Sequence, residues 1–296
     1  MEIKIATYNI DGLPEQLDLK ELPWPLKPIS WLCKAFRGTT CVTINDNKEK
    51  AANAKEISRR LAELNADIIA VQEDFNYHAE LMSSLPYQQC WYSGGITLDN
   101  IRWWPYPKFK ADGLNVFTNA ERFMSFEHIF PWKKSHGYFR NANDKLTTKG
   151  FRYFPVRVKG RWIEVFVVHM DADFYDPAKC PDVSRDVAAR RSQFEQLANT
   201  INLLNAGDPL IVMGDFNSYP KYEWDKANID YFLSLIPGLE LAVPGNYEDC
   251  DHIFVRGFKV KKCYFDLSFG SLSDHKPLIA ELELTPKDYY VKENGN

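Results

Sequence analysis

Nowhere in its 296 residues does the sequence hold an apolar run near the ~20 residues that cross a bilayer as a helix. An excess of basic charge is also missing. Lys and Arg number 36 against 40 Asp and Glu, for a net charge of -4. A protein held on nucleic acid by a global positive field is therefore excluded, and only a local patch could do that work. The six cysteines (Cys33, Cys41, Cys90, Cys180, Cys250 and Cys263) form no Cys-x-x-Cys pair. That spacing argues against a structural zinc site and against a small disulfide scaffold. Cys33 and Cys41 are close enough in sequence to bridge in an oxidising compartment, or to remain free thiols. Repeats, low-complexity tracts and Gly/Ser linkers are absent, so residues 1–296 read as one domain. Strand-like sequence begins at Ile3, which leaves no room for a signal peptide. A soluble cytoplasmic protein and a mature secreted or periplasmic form both fit, and no obligate protein partner is evident.

What is present suits a large layered enzyme: 45% hydrophobic and 26% charged residues, enough to fill a sizeable core. Apolar runs predict strands at Ile3–Ile10, Asp67–Gln72, Leu114–Thr118, Phe151–Val158, Trp162–His169, Pro209–Met213, Asp251–Val255, Val260–Phe265 and Leu278–Leu284. Helical spacing of Ile57, Leu61 and Leu64 predicts a helix over Asn53–Asn65. Phe194, Leu197, Ile201 and Leu204 predict another over Asp186–Asn205. Residues 13–47 and Tyr92–Phe109 read as ordered aromatic excursions. Few helices among many strands point to packed sheets with helices outside.

Four polar motifs carry the chemistry: Asn9-Ile10-Asp11, Gln72-Glu73-Asp74, Gly214-Asp215-Phe216-Asn217 and Ser273-Asp274-His275. Each follows a strand-like run or leads into one, so distant carboxylates, amides and imidazoles can meet at sheet edges. Oxygen-rich sites of that kind suit a hard divalent cation gripping a phosphate. Asp215 and Asn217 occupy alternate positions and point the same way on extended chain. Asp251, ahead of the apolar Ile253-Phe254-Val255, could orient His275 as a general base.

In their order, Tyr8–Gly12, Gln72-Glu73, Asp112-Gly113-Leu114, His169, Gly214–Asn217, Asp251-His252-Ile253 and Ser273–His275 resemble the endonuclease/exonuclease/phosphatase superfamily. The resemblance covers roughly residues 3–284. It implies an α/β fold of the deoxyribonuclease I-like kind: a four-layer α/β sandwich, two packed mixed β-sheets flanked by helices. It implies a metal-dependent phosphoesterase, using Mg2+ with Mn2+ able to substitute. Glu73 becomes the principal metal ligand, with Asn9, Asp11 and Asp274 completing the shell directly or through water. His275 becomes the base, Asp251 its orienter and Asp215 the alternative base. Asn217 and His169 become phosphate contacts. Many members carry Asn two residues before the histidine, where this chain has Val167.

Substrate signals divide. Asn9–Gly12 is similar to the apurinic-endonuclease form of the first motif. Asp144–Gly150, ending in Lys149-Gly150, is similar to a segment of sphingomyelinases and makes Lys149 a candidate substrate contact. Aromatic residues Trp24, Trp31, Phe36, Trp103, Trp104, Tyr106 and Phe109 could anchor lipid, although packing is the commoner use. Lys133, Lys134, His136 and Arg140 form a modest basic stretch. The expectation is phosphodiester hydrolysis, with the substrate a lipid headgroup, nucleic acid or small molecule. A catalytically inactive binding module ranks last, because every expected catalytic position is filled.

Overall fold

A computed structural model describes residues 1–12, 15–18, 41–44, 48–75, 77–91, 113–122, 126–129, 149–172, 183–204, 207–244 and 247–285. The strands are β1 (Glu2–Asn9), β2 (Glu15–Asp18), β3 (Cys41–Ile44), β4 (Ile68–Gln72), β5 (Gln88–Trp91), β6 (Asn115–Thr118), β7 (Glu121–Arg122), β8 (Phe126–Ile129), β9 (Gly150–Val158), β10 (Arg161–His169), β11 (Leu210–Asp215), β12 (Glu240–Ala242), β13 (Asp251–Arg256), β14 (Phe258–Phe265) and β15 (Leu278–Leu284). The helices are α1 (Lys48–Glu63), the short α2 (His78–Leu81), α3 (Ser184–Leu204) and α4 (Glu223–Leu235).

A six-stranded sheet runs β14-β15-β1-β4-β6-β5, and a second runs β12-β13-β11-β10-β9-β7 with β8 also on β9. Both are mixed: β1 and β4 are parallel, as are β10 and β11, while the other pairs are antiparallel. Side chains alternate along each strand, so each sheet buries two faces. One face of each sheet meets the other in a shared core that includes Ile3, Ile5, Ile68, Val165, Val167, Ile211, Met213 and Ile253. The outer face of the first sheet packs on Ile57 and Leu61 of α1. The outer face of the second packs on Phe194, Leu197 and Ile201 of α3 and Ile229 and Phe232 of α4. The molecule is a four-layer α/β sandwich.

Sequence and structure differ in instructive places. α1 starts at Lys48 rather than Asn53 because its first turn, Lys-Glu-Lys, is polar and leaves no periodic signature. Asn65, at φ 48, takes the left-handed conformation that ends a helix. α4 escaped the sequence reading because Asp225 and Asn228 share its buried face with Ile229 and Phe232. Leu204, expected on the buried face of α3, is 39% exposed in its last turn. The β9–β10 hairpin turns on Lys159 and Gly160, both at positive φ, as a two-residue turn requires. Most of 13–47 and all of 92–109 lie outside the described residues. So do Asp144–Thr148, the stretch Lys133–Arg140 and Cys33. Cys250 and Cys263 are free thiols.

Candidate active site

The inter-sheet face of each central strand is apolar until its final one or two inward positions. On β1, Ile3 and Ile5 lead to Thr7 and Asn9. On β4, Ile68 and Ala70 lead to Gln72. On β10, Ile163, Val165 and Val167 lead to His169; on β11, Ile211 and Met213 lead to Asp215. On the antiparallel β13, Val255 and Ile253 lead back to Asp251. Alternation therefore delivers all the polar residues to one open end of the shared core. Register does the rest: His169 stands opposite Asp215, and Asp215 opposite Asp251. This row, three strands wide, is buried to within a few percent.

Asp215 is the hub. Its Oδ2 accepts from Asn9 Nδ2 at 3.0 Å, and its Oδ1 accepts from the Asn217 backbone N–H at 2.9 Å. His169 Nε2 lies 3.5 Å and His275 Nε2 3.8 Å from Oδ2. His275 Nδ1 is 2.6 Å from Asp251 Oδ2. Asn217 Nδ2 donates to Met170 O at 2.9 Å, and Lys149 Nζ to the same carbonyl at 3.0 Å. Glu73 Oε1 faces His169 Nε2 from the other sheet at 3.9 Å. The expected residues Asn9, Glu73, Lys149, His169, Asp215, Asn217, Asp251 and His275 are thus brought together. Val167 fills the shared core two residues before His169.

Asp11 and Asp274 lie at the edge of that cluster, Asp274 in the same pocket as His275. The Asp11 carboxylate is engaged by Lys50 Nζ at 2.6 Å, and Asp274 is exposed and accepts from Ser273 Oγ at 3.3 Å. Both belong to the rim, where Ser273 Oγ also donates to Asn9 O at 2.8 Å. Lys50 gave no signal in the sequence, since it sits in the featureless first turn of α1. Cys250 was passed over too. Its thiol lies against His275, and burial pushes its pKa well above the usual value, so it is a neutral neighbour and no nucleophile.

Backbone strain concentrates here. Among the described residues five non-glycines have positive φ, and Asp11, Glu73 and Asn217 are three of them. Such conformations cost about 1 kcal/mol or more each and persist where the surroundings enforce them. Close approach is enforced at Gly214, at φ 148, where an added Cβ would meet Val168 O at 2.0 Å. Only glycine lets β10 and β11 come together this tightly beside His169 and Asp215.

Charge is unevenly distributed. Burial lifts the Glu73 carboxyl to about 7, against the pull of Lys149 and Asn9. Burial works the same way on Asp215, but His275, His169 and Lys149 overcome it and hold this carboxyl at about 2. His169 is driven down to about 3 by burial and then by Lys149, so its ring is neutral. His275 resists burial because Asp251 and Asp215 flank it, and its pKa lies well above the usual value.

Two places could accept a metal. Asp249, Cys250, Asp251 and His275 have donor atoms within 4.8 Å of one another. There Asp251 Oδ2 and His275 Nδ1 are already engaged with each other, and burial keeps the metal-free thiol neutral. Glu73 is different. It is a largely buried carboxylate that meets the Asn9 side chain and is repelled by the Asp215 carboxylate, and a hard divalent cation would offset that repulsion. The residues on this side fit such an ion.

A double sheet with carboxylates, amides and imidazoles at one end of its shared core is the architecture of a phosphoester hydrolase. The chain belongs to the Endonuclease/Exonuclease/phosphatase family, whose pattern it matches over residues 6–275. Solved structures share the fold. Sphingomyelinase C from Streptomyces griseocarneus is 18% identical with a TM-score of 0.59, over 95% of this chain and 99% of that one. A humanized TDP2 from D. rerio is 13% identical with a TM-score of 0.61, over 95% and 99%. A beta-toxin variant from Staphylococcus aureus with bound magnesium ions is 15% identical with a TM-score of 0.61, over 97% and 100%. No curated protein matches the chain by sequence. Among the described residues no helix is long and apolar enough to cross a membrane.

Proposed function

We propose that this phosphoester hydrolase is a Mg2+-dependent phosphodiesterase that drives in-line attack of water on phosphorus. The observation that carries the reading is the His169–Asp215–Asp251 row with His275 closing it at 2.6 Å from Asp251. Glu73 and Asn9 would hold the ion, with Asp11 and Asp274 reaching it through water from the rim; Mn2+ has the same oxygen preference. When bound, the cation neutralises charge on the phosphoryl oxygens.

The protein's own groups divide the remaining work. Asp251 fixes the His275 ring through Nδ1, leaving Nε2 directed at Asp215. The Asp215–His275 pair, 3.8 Å apart, receives the proton given up by water. Neutral His169 donates from Nε2, and Asn217 and Lys149 meet the phosphoryl oxygens, so developing charge finds donors already in place. Residues 1–296 act as one catalytic domain in this reading, supported by a site drawn from both sheets.

Lys149 lies inside the site rather than merely in a turn, and this favours the lipid form of the reaction over the nuclease form. The neighbouring structures include a sphingomyelinase and a TDP2, so both substrate classes deserve trial. The experiment is a matched assay of sphingomyelin in mixed micelles and supercoiled plasmid, each with Mg2+ and with EDTA. Phosphocholine release that needs Mg2+, with intact plasmid, supports the lipid reading. Plasmid nicking alone reverses that preference. Turnover undiminished by EDTA would sink the metal assignment.

A further inference from the structure

Asp74, directly after Glu73, is fully buried and takes no part in the row of acid and base groups. Its Oδ2 receives two hydrogen bonds: His78 Nδ1 at 2.6 Å from α2 and Asn115 Nδ2 at 2.8 Å from the start of β6. Its backbone N–H donates to Gly113 O at 2.9 Å, and Phe75 N–H donates back to Glu73 O at 2.9 Å. The chain from Glu73 to Phe75 is therefore a tight turn, with Glu73 at φ 60. Two glycines make room for it. A Cβ on Gly12 would sit 2.1 Å from Glu73 O, and one on Gly113, at φ 65, would sit 2.6 Å from the Phe75 ring.

A buried carboxylate is costly unless its hydrogen bonds are used. Here the two bonds that Asp74 Oδ2 accepts join the end of β4, α2 and β6 around the residue next to a strained glutamate, while Oδ1 has no partner among the described residues. We infer that Asp74 is a positioning residue for a divalent cation: with His78 and Asn115 it holds the turn so that Glu73 presents its carboxylate to the ion. The inference rests on reading Glu73 as a metal ligand. Groups one step behind a ligand commonly change metal affinity by about 10–100-fold when removed. A merely structural role would lower Tm and leave affinity for the ion alone.

The test is calorimetric titration of Mg2+ into the full chain, as wild type, D74A, D74N and H78A, with Tm measured in EDTA. D74A is expected to bind Mg2+ about 10–100-fold more weakly. D74N is expected to recover most of that loss, because the Asn oxygen can accept the same two hydrogen bonds. Wild-type affinity in D74A, whatever its Tm, overturns the inference. Should D74A fail to fold, H78A decides: weaker binding supports the role and an unchanged Kd overturns it. Absence of binding heat in the wild type overturns the reading of Glu73 and this inference with it.

Discussion

Asn9 and Asp215 come from different sheets and stand 206 positions apart, yet Asn9 Nδ2 donates to Asp215 Oδ2 at 3.0 Å in a buried bond. It ties the two sheets together at the open end of their shared core. Asn9→Ala leaves a buried carboxylate short of a donor. The expected cost is about 1.5–3 kcal/mol of stability, read by urea unfolding, with turnover reduced further than stability alone explains.

Glu73 sets activity against stability. Its folded pKa, about 7, lies above the ordinary 4.5, so the fold prefers this carboxyl protonated. Stability from that preference is full below pH 4.5 and lost as pH rises through 7. Glu73→Gln escapes the loss. It is expected to abolish Mg2+-dependent turnover while raising the Tm of the metal-free protein at pH 8. At pH 4 the two Tm values should converge, and a Glu73→Gln Tm below wild type at pH 8 would refute the argument.

Asp251 is the nearer of two anions holding the His275 pKa up. Asp251→Asn removes that support, so the imidazolium loses its proton more easily and the limb of the pH–rate profile reporting His275 moves to lower pH. The turnover number falls by roughly a hundredfold or more, since the ring is no longer oriented. A profile with both limbs unmoved would remove Asp251 from this role.

Acid should unfold the protein through a histidine outside the reaction. His252 is buried among Phe216, Phe254 and Tyr247, shares its Nε2 with Ser218 O at 2.8 Å, and is pushed by burial down to about 3. It is neutral when folded and takes a proton on unfolding below pH 6.5. Its contribution is complete above 6.5 and lost as pH falls toward 3, at about 1.4 kcal/mol per pH unit. His252→Gln is expected to flatten the acid slope by one proton, measured by urea unfolding at pH 6, 5 and 4.

Gly214→Ala drives a methyl into Val168 O. The expected cost is roughly 3 kcal/mol or more, visible in Tm. Activity should fall with it, because β10 and β11 must part exactly where His169 and Asp215 are aligned.

The sequence foretold the strands well, because Ile3, Val165 and Ile211 belong to runs with no competing reading. Leu278–Leu284 is observed at its expected bounds. It foretold the gathering of Glu73, Asp215, Asp251 and His275, because each motif ends or begins such a run. It could not show that Asp11 spends its carboxylate on Lys50, since α1 starts without an apolar residue. Nor could it show Asp74, His78 and Asn115 meeting, because such pairing depends on how a turn folds and not on periodicity. α4 was hidden by the polar residues it buries, Asp225 and Asn228. Val167, expected to depart from the resembled pattern, is a core residue of the shared interior.

β1 lies between β4 and β15, and Ser273 Oγ donates to the backbone of Asn9. During synthesis β1 precedes β15 by most of this sequence, so its pairing on that side closes only after β15 has been made. His275 arrives just ahead of that strand. A copy cut between Asp215 and His275 would therefore keep Glu73 and Asp215 but lack both His275 and the strand that pairs with β1 on that side.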